Sequence, residues 1–504
     1  MILKVRPLRY TISAGIEIVI LHKETAKKLG VHANDRLEIK CLNCGKKTVA
    51  VVEISIGFVE KDEIAVSEEV TQVIGKHKNQ KVFVEPSFKP ISAMYVTKKL
   101  KKHALSYTEI YAIISDIVQN KLTDIEIAYF CSAVGLNDMN LDEVYSLTKA
   151  MVKTGEEIKW NNRFVLDKHC CGGVAGIRTT PLVVSIVGSA IEELGINAVL
   201  PNTSSRAITS AAGTSDDIEI LTGIEFTTQQ LKKIIKKIGA CFVWNGILGL
   251  APADDKIIQV ERLINLESHE QLVASILAKK IAMGTTHVVM EIPYGSTAKF
   301  TKKNAQHIKY LMNKISSRFN LKIKCLLTDG SQPIGNGIGP CLEMRDIISV
   351  LRRTESRPLD LEERSLLLST ELLSFVVPIK QATELCKMLL NSGKAYEKFK
   401  EIILTQGGSD NENDISRKLE LGRFHETIKS NKSGKITEID NKKVAYISRL
   451  LGCPADKAAG VYLHAHVGTF IDEKDNLFTL YAETKDKLDY TKKSLKKFFP
   501  MKIE

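Results

Sequence analysis

The segment from Lys168 to Pro181, Lys-His-Cys-Cys-Gly-Gly-Val-Ala-Gly-Ile-Arg-Thr-Thr-Pro, concentrates residue types suited to holding an anion. It joins a short apolar run, Phe164-Val165-Leu166, to a long one from Pro181 to Ile191, an order that predicts strand, glycine-rich loop and helix. Thr180 is placed to cap the helix and Pro181 to be its first residue. Free backbone N–H groups and the positive end of the helix dipole then lie beside Lys168, Arg178 and Thr179, and phosphate is the expected ligand. This is not a nucleotide P-loop: Gly172 and Gly176 are one residue too close, and Arg178 stands where that motif needs lysine. His169 lies inside the loop and can act there as a hydrogen-bond donor.

A second polar loop, Asn202 to Ser215, carries seven hydroxyl side chains and Arg206. Hydroxyls donate to phosphate oxygens without over-neutralising an anion that must react and leave. Serine-rich loops are often only solvated; the pairing with the first loop argues against that here. Further on, Ser268 can cap a helix with Gln271 completing the box, and Ser275 and Lys279 share one face of it. Lys280 points elsewhere and reads as a solvated lysine. Pro293 to Lys299 presents another cation after an apolar strand, and the glycines of Asp329 to Pro340 imply a close backbone approach to substrate or to another domain. Cys41 and Cys44 form a Cys-x-x-Cys with no second pair, short of a zinc site. His464 and His466 alternate with Leu463 and Val467, which reads as packing.

These loops need a scaffold. With 504 residues, 44% of them apolar, the chain can bury large cores and form two to four domains. No run reaches the length of a membrane span, and the start, Met1 to Pro7, lacks a signal-peptide core. Ten cysteines, mostly within apolar stretches, predict reduced thiols and a cytoplasmic protein. The net charge of +12 is spread over scattered lysines without an arginine-rich, aromatic-interleaved groove. A solvated lysine surface and an anionic small-molecule substrate explain it better than nucleic acid, and no membrane partner is expected.

Alternating apolar and polar positions predict strands over residues 1–88, and the pattern turns helical from 93 to 158, with a capping box at Ser106-Glu109 and a second helix opening near Thr123. From 163 to about 335 strand and helix alternate, the mark of a mostly parallel α/β sheet with strands at 164–167, 197–201, 241–244, 286–292 and 321–327. A helical tract follows over 346–405, residues 406–414 read as a loop, and 430–504 as short strands and turns. Ligands of such a sheet bind beyond the carboxyl ends of its strands, where the polar loops fall.

Five motifs in order resemble the thymidine and pyrimidine-nucleoside phosphorylases: Lys-His-x-x-Gly-Gly at 168–173, Ser-Ser-Arg-Ala-Ile-Thr-Ser-x-Ala-Gly-Thr at 204–214, Leu-Ala-Pro-Ala-Asp-Asp at 250–255, Ala-Ser-Ile-Leu-Ala-Lys-Lys at 274–280 and Asp-Gly-x-Gln-Pro-Ile-Gly at 329–335. With Leu105 to Ile110 the likeness covers about residues 90–504, and it is strongest to the extended branch that includes archaeal AMP phosphorylase. The resemblance implies a multidomain α/β protein. Its parts are an N-terminal β-rich domain (1–88), a helical domain (93–160 with 250–282), an α/β phosphate-binding domain (161–249 with 283–405) and a C-terminal α+β domain (420–504). It also implies a homodimer or larger homo-oligomer, a cleft with Lys168 on one wall and Lys279 on the other, and no cofactor, inorganic phosphate being a co-substrate.

The implied reaction is phosphorolysis of an N-glycosidic bond, thymidine first, with a nucleoside 5′-monophosphate such as AMP as the alternative. By motif position Lys168, Cys170, Thr179, Ser204 and Thr214 hold phosphate, while Ser275 and Lys279 contact the base. In the AMP branch the nucleotide meets Gly176, the run Ser205, Arg206, Ala207, Ile208, Thr209 and Ser210, then Thr214, Ser275 and Lys299. Lys168, His169 and Glu267 are the implied catalytic groups, and Lys168→Ala is expected to abolish turnover with folding intact. Three positions depart from the family: Cys170 replaces a serine, Glu267 replaces the aspartate proton donor, and the base-directed arginine falls near Val260, two residues before Arg262.

Overall fold

The structure, a computed structural model, describes residues 1–8, 17–76, 80–207, 210–264, 266 and 268–504. The chain divides into two compact units, Met1–Thr154 with Pro252–Leu272, and Gly155–Ala251 with Val273–Glu504.

In the first unit six strands close a barrel: β1 (Ile2–Pro7), β2 (Ile18–His22), β3 (Arg36–Cys41), β4 (Lys47–Ser55), β5 (Glu63–Val66) and β6 (Lys81–Ser87), in the order β1-β5-β2-β4-β3-β6. Period-two alternation turns Val19, Leu21, Leu37, Ile39, Val82 and Val84 into one core. The helices Tyr107–Val118, Asp124–Leu136 and Leu141–Lys153 each start at a full capping box, Ser106 with Glu109, Thr123 with Glu126 and Asn140 with Glu143. Arg36 of β3 ties the barrel to these helices, donating to Glu126 Oε1 at 3.3 Å and to the Lys121 carbonyl at 2.7 Å.

The second unit is built on five parallel strands, β7 (Phe164–Cys170), β8 (Ala198–Ser204), β9 (Ala240–Trp244), β10 (His287–Tyr294) and β11 (Lys322–Asp329). Their order is β11-β10-β7-β8-β9. The strands run a few residues further into the polar loops than the apolar pattern alone suggests. β8 is buried throughout, and β10 over all but its last residue, as expected of strands covered on both faces. The chain starts at β7, proceeds outward through β8 and β9, then returns to lay β10 on the other side of β7. That reversal is the place where open α/β sheets bind ligands.

The segment 430–504 holds more helix than its short strands and turns foretold. Asn441–Leu451 is started by Asp440, which accepts from the N–H groups of Lys442 and Lys443, and Lys485–Phe498 by Thr484. Likewise 406–414 is not simply a loop, since a helix begins at Glu412 and the buried Gln406 side chain bonds both backbone groups of Phe242. No described helix is long and apolar enough to cross a membrane.

Candidate active site

The loop after β7 contains one turn of 3-10 helix, Gly173–Ala175, and leads into the helix Thr179–Leu194. That helix starts one residue earlier than a Thr180 cap would place it, with Arg178 at the cap position. The reason lies in the side chains: Thr179 and Thr180 both accept from Lys168 Nζ, at 2.5 and 3.0 Å, instead of capping the backbone. Lys168 is 1% exposed. Its third partner is Glu291 Oε2 of β10 at 3.1 Å, so all three ammonium protons are directed. Glu291, wholly buried, also receives Thr179 Oγ1 at 2.9 Å, Thr328 Oγ1 at 3.3 Å and Arg364 at 3.1 Å. With Lys168 removed, Glu291 keeps Arg364 and the Thr179 and Thr328 hydroxyls, so Lys168→Ala does not leave this carboxylate without a cation.

One residue earlier, Asp167 anchors a second buried pair. Lys280 Nζ donates to Asp167 Oδ2 at 2.7 Å, to the Thr203 carbonyl at 3.0 Å and to Thr203 Oγ1 at 2.9 Å. Asp167 Oδ1 accepts from Asn202 Nδ2 at 2.7 Å and from the Lys168 N–H at 2.8 Å. Lys280 is therefore no solvated lysine; it is 1% exposed and fastens its helix to the ends of β7 and β8. Burial pushes the Asp167 carboxyl up and the Lys280 ammonium down, against the attraction within the pair.

His169 stands between these pairs. Burial comes first, followed by the charges of Lys280, Lys168, Lys279 and Lys299, and together they hold its imidazole well below the usual histidine value. It is neutral at physiological pH, able to donate one hydrogen bond but not to act as a resident imidazolium. Lys279, half-buried on the helix His269–Ala282, and the exposed Lys299, in the loop after β10, thus bear on the same point as Lys168. Ser275 is buried one turn before Lys279.

Cys170 accepts from the Gly172 N–H at 3.3 Å, and burial with the nearby Glu291 charge pushes its thiol well up, so it is a neutral, weak donor. Gly176 has no room for a side chain: a Cβ would come within 2.8 Å of Cys170 Sγ and 3.0 Å of Glu291 Oε1. Across from it, a Cβ on Gly173 would meet Ser210 at 3.7 Å, which brings the second loop alongside the first. Ser204 and Ser215 pair through their hydroxyls at 2.8 Å, and Thr214 is buried at the start of the short helix Thr214–Ile218. Asp216 closes this loop by accepting from the N–H groups of Ala207 at 2.7 Å and Gly213 at 3.0 Å. A Cβ on Gly213 would lie 2.6 Å from the Ser205 carbonyl.

Two arginines are directed elsewhere. Arg178 is buried against Glu343 and Asp346, each at 3.5 Å, and does not face the loop's anion site. Arg206 forms a bidentate pair with Glu219 at 2.6 and 2.7 Å, reaches Glu225 at 3.0 Å and lies over the Trp244 ring. Val260 is buried and Arg262 exposed in the first unit. Ile208, Thr209 and Glu267 lie outside the described residues. His464 is bonded to Thr479 Oγ1 within the C-terminal part, and His466 to Asn336 Oδ1 in the glycine-rich segment after β11, each at 2.8 Å.

Asp167, Glu291, Arg364 and Asn202 are site residues that motif spacing did not single out. The signal for two of them was present: Asp167 in Phe-Val-Leu-Asp and Glu291 in Val-Val-Met-Glu-Ile-Pro are lone acids in otherwise apolar strands.

Two family models match the chain: a glycosyl transferase family helical bundle domain over residues 94–155, and a pyrimidine nucleoside phosphorylase C-terminal domain over 435–502. Among curated relatives, a protein of Legionella pneumophila named "Putative thymidine phosphorylase" is 41% identical over 80% of this chain and 76% of its own length. An AMP phosphorylase of Methanocaldococcus jannaschii is 35% identical over 100% of this chain and 97% of its own. One from Methanococcoides burtonii is 38% identical over 100% and 97%. Among solved structures, anthranilate phosphoribosyltransferase from Thermus thermophilus shares the fold, with a TM-score of 0.52 at 16% identity, covering 62% of this chain and 98% of that one.

Proposed function

The chain belongs to the family of thymidine and AMP phosphorylases, and from that premise we propose that it cleaves the N-glycosidic bond of a nucleoside with inorganic phosphate, converting thymidine to thymine and 2-deoxyribose 1-phosphate. The observation that carries this reading is the loop after β7: Lys168, buried at the end of that strand, donates to Thr179 and Thr180 in the first turn of the helix Thr179–Leu194, which sets a cation beside a helix N-terminus, a place suited to an anion.

Phosphate binds at the start of the helix Thr179–Leu194, among Lys168, Thr179, Ser204 and Thr214, with Cys170 as its weakest partner. Because the three protons of Lys168 are already directed, binding exchanges one of those bonds for one to the anion. A phosphate oxygen attacks the anomeric carbon as the bond to the base nitrogen breaks, and the bonding pair leaves with the base. Phosphate dianion next to the anomeric carbon offsets the positive charge that develops on the sugar. Ser275 and Lys279 hold the base, Lys279 offsetting the negative charge it gains as it leaves. Neutral His169 contributes a hydrogen bond rather than acid catalysis.

A second reading, phosphorolysis of a nucleoside 5′-monophosphate, is favoured by Lys299, the fourth lysine around His169, and by the full-length likeness to AMP phosphorylases. Against it, Arg206 is already paired with Glu219 and Glu225. The test is base release, followed by chromatography, from thymidine, uridine, cytidine, adenosine, AMP, CMP and UMP with and without phosphate. Phosphate-dependent thymine release supports the nucleoside reading. Release from monophosphates alone replaces it with the second, and no release from any substrate overturns both.

A further inference from the structure

The barrel carries a thiol pair that the phosphorolysis reading does not use. Cys41 ends β3 and its sulfur is fully buried, while Cys44, in the turn to β4, is exposed. The turn brings the two together. The Cys44 N–H donates to Cys41 Sγ at 3.2 Å, and Gln80, itself 3% exposed, aims its Nε2 at the same sulfur from 3.6 Å. The Asn43 N–H points there as well. These hydrogen bonds outweigh burial and hold the Cys41 thiol below its usual value, whereas burial pushes Cys131, Cys241, Cys325 and Cys386 up. Gln80 also donates to the Ile74 carbonyl at 3.1 Å, which receives the Cys44 thiol at 3.3 Å, so one buried amide organises both cysteines. Among the described residues no group of three or more His, Cys, Asp or Glu is gathered for a metal, and two sulfurs fall short of the four ligands of a zinc site.

We propose that Cys41 and Cys44 form a thiol–disulfide exchange site whose partner is a small-molecule disulfide such as glutathione disulfide. The exposed Cys44 thiolate attacks one sulfur of the disulfide, forming a mixed disulfide and expelling one thiolate. The Cys41 thiolate then attacks Cys44 Sγ, closing the Cys41–Cys44 bond and expelling the second thiolate. The pair loses two electrons and two protons, and the disulfide gains them as two thiols. The division of labour follows from access: a bulky disulfide reaches only Cys44, and the buried Cys41, held beside it by the turn, resolves the intermediate.

The test equilibrates the full-length protein in glutathione buffers of stepped ratio, traps free thiols with iodoacetamide and reads each cysteine by peptide mass spectrometry. The expected result is a 41–44 disulfide appearing at one midpoint while the eight other cysteines stay alkylated. Cys41→Ser stops at a glutathione adduct on Cys44. Gln80→Leu slows ring closure at pH 7 by about threefold for each unit that the Cys41 thiol rises, the tenfold loss of thiolate being partly offset by greater nucleophilicity. No disulfide before unfolding overturns the proposal. So does a lasting adduct on Cys44 in the native protein, or tight binding of added zinc that Cys44→Ser abolishes.

Discussion

Lys280→Met tests the most tightly specified contact of the site. Methionine preserves the length and apolar body of the side chain and removes only the ammonium. Three hydrogen bonds disappear, to Asp167 Oδ2 at 2.7 Å and to Thr203 at 3.0 and 2.9 Å, and Asp167 is left as a buried carboxylate without its cation. Breaking a buried pair from one side costs about 3–5 kcal/mol, a large share of the 5–15 kcal/mol that holds a typical domain. Urea denaturation followed by tryptophan fluorescence reads this well, because Trp160 and Trp244 both belong to the unit that contains the pair. The loss has a pH signature. Asp167 is already pushed up by burial, and without Lys280 it rises further. A carboxyl whose folded value lies above its unfolded one stabilises below the ordinary carboxylate range and loses that contribution as pH rises through the folded value. The variant is therefore closest to wild type near pH 4–5 and furthest from it near pH 8, with a slope of up to about 1.4 kcal/mol per unit between. Adding Asp167→Asn recovers part of the loss, since no charge is then stranded. A Lys280→Met protein within about 1 kcal/mol of wild type at pH 8, the behaviour of a surface lysine, would refute the reasoning.

Glu291→Gln removes the carboxylate shared by Lys168 and Arg364 and costs about 3–5 kcal/mol without phosphate, less with phosphate in excess, because a bound anion restores the missing charge; equal losses in both conditions would place phosphate elsewhere. His169 is held below the usual histidine value, so wild type loses stability relative to His169→Gln as pH falls below about 6.5, and the pH profile of kcat/KM shows no ionisation of this group near 6.5; an NMR titration of His169 at 6.5 would contradict both. Cys170→Ser supplies the stronger donor that the loop lacks and lowers the KM for phosphate by about tenfold, the worth of one hydrogen bond to a charged group; an unchanged KM would take Cys170 out of the phosphate site.

The parallel sheet and its ligand edge were legible because their signal is local: apolar runs such as Cys241 to Trp244 and glycine-rich loops announce strand, turn and helix in turn. What the sequence hid is pairwise. Lys279 and Lys280 are adjacent and chemically alike, and only a strand 113 residues away, bearing Asp167, makes one of them a buried anchor. Arg178 and Arg206 looked equally fit for an anion until Glu343 and Asp346, and Glu219 and Glu225, claimed them. The helices Asn441–Leu451 and Lys485–Phe498 have their signal in the caps Asp440 and Thr484, which the apolar strand pattern around Val461 outweighs in the sequence. The lone acids of β7 and β10 show the complementary rule, that a charge inside an apolar strand is buried with a partner.

The central claim is that a phosphate oxygen becomes the bridging atom of the product. The protein is incubated with thymidine and phosphate labelled uniformly with oxygen-18, and the sugar product is analysed by phosphorus NMR and mass spectrometry. Phosphorolysis predicts 2-deoxyribose 1-phosphate that retains all four labelled oxygens, one of them joining the anomeric carbon to phosphorus. Free 2-deoxyribose carrying an oxygen from water, at a rate independent of phosphate, would contradict the account.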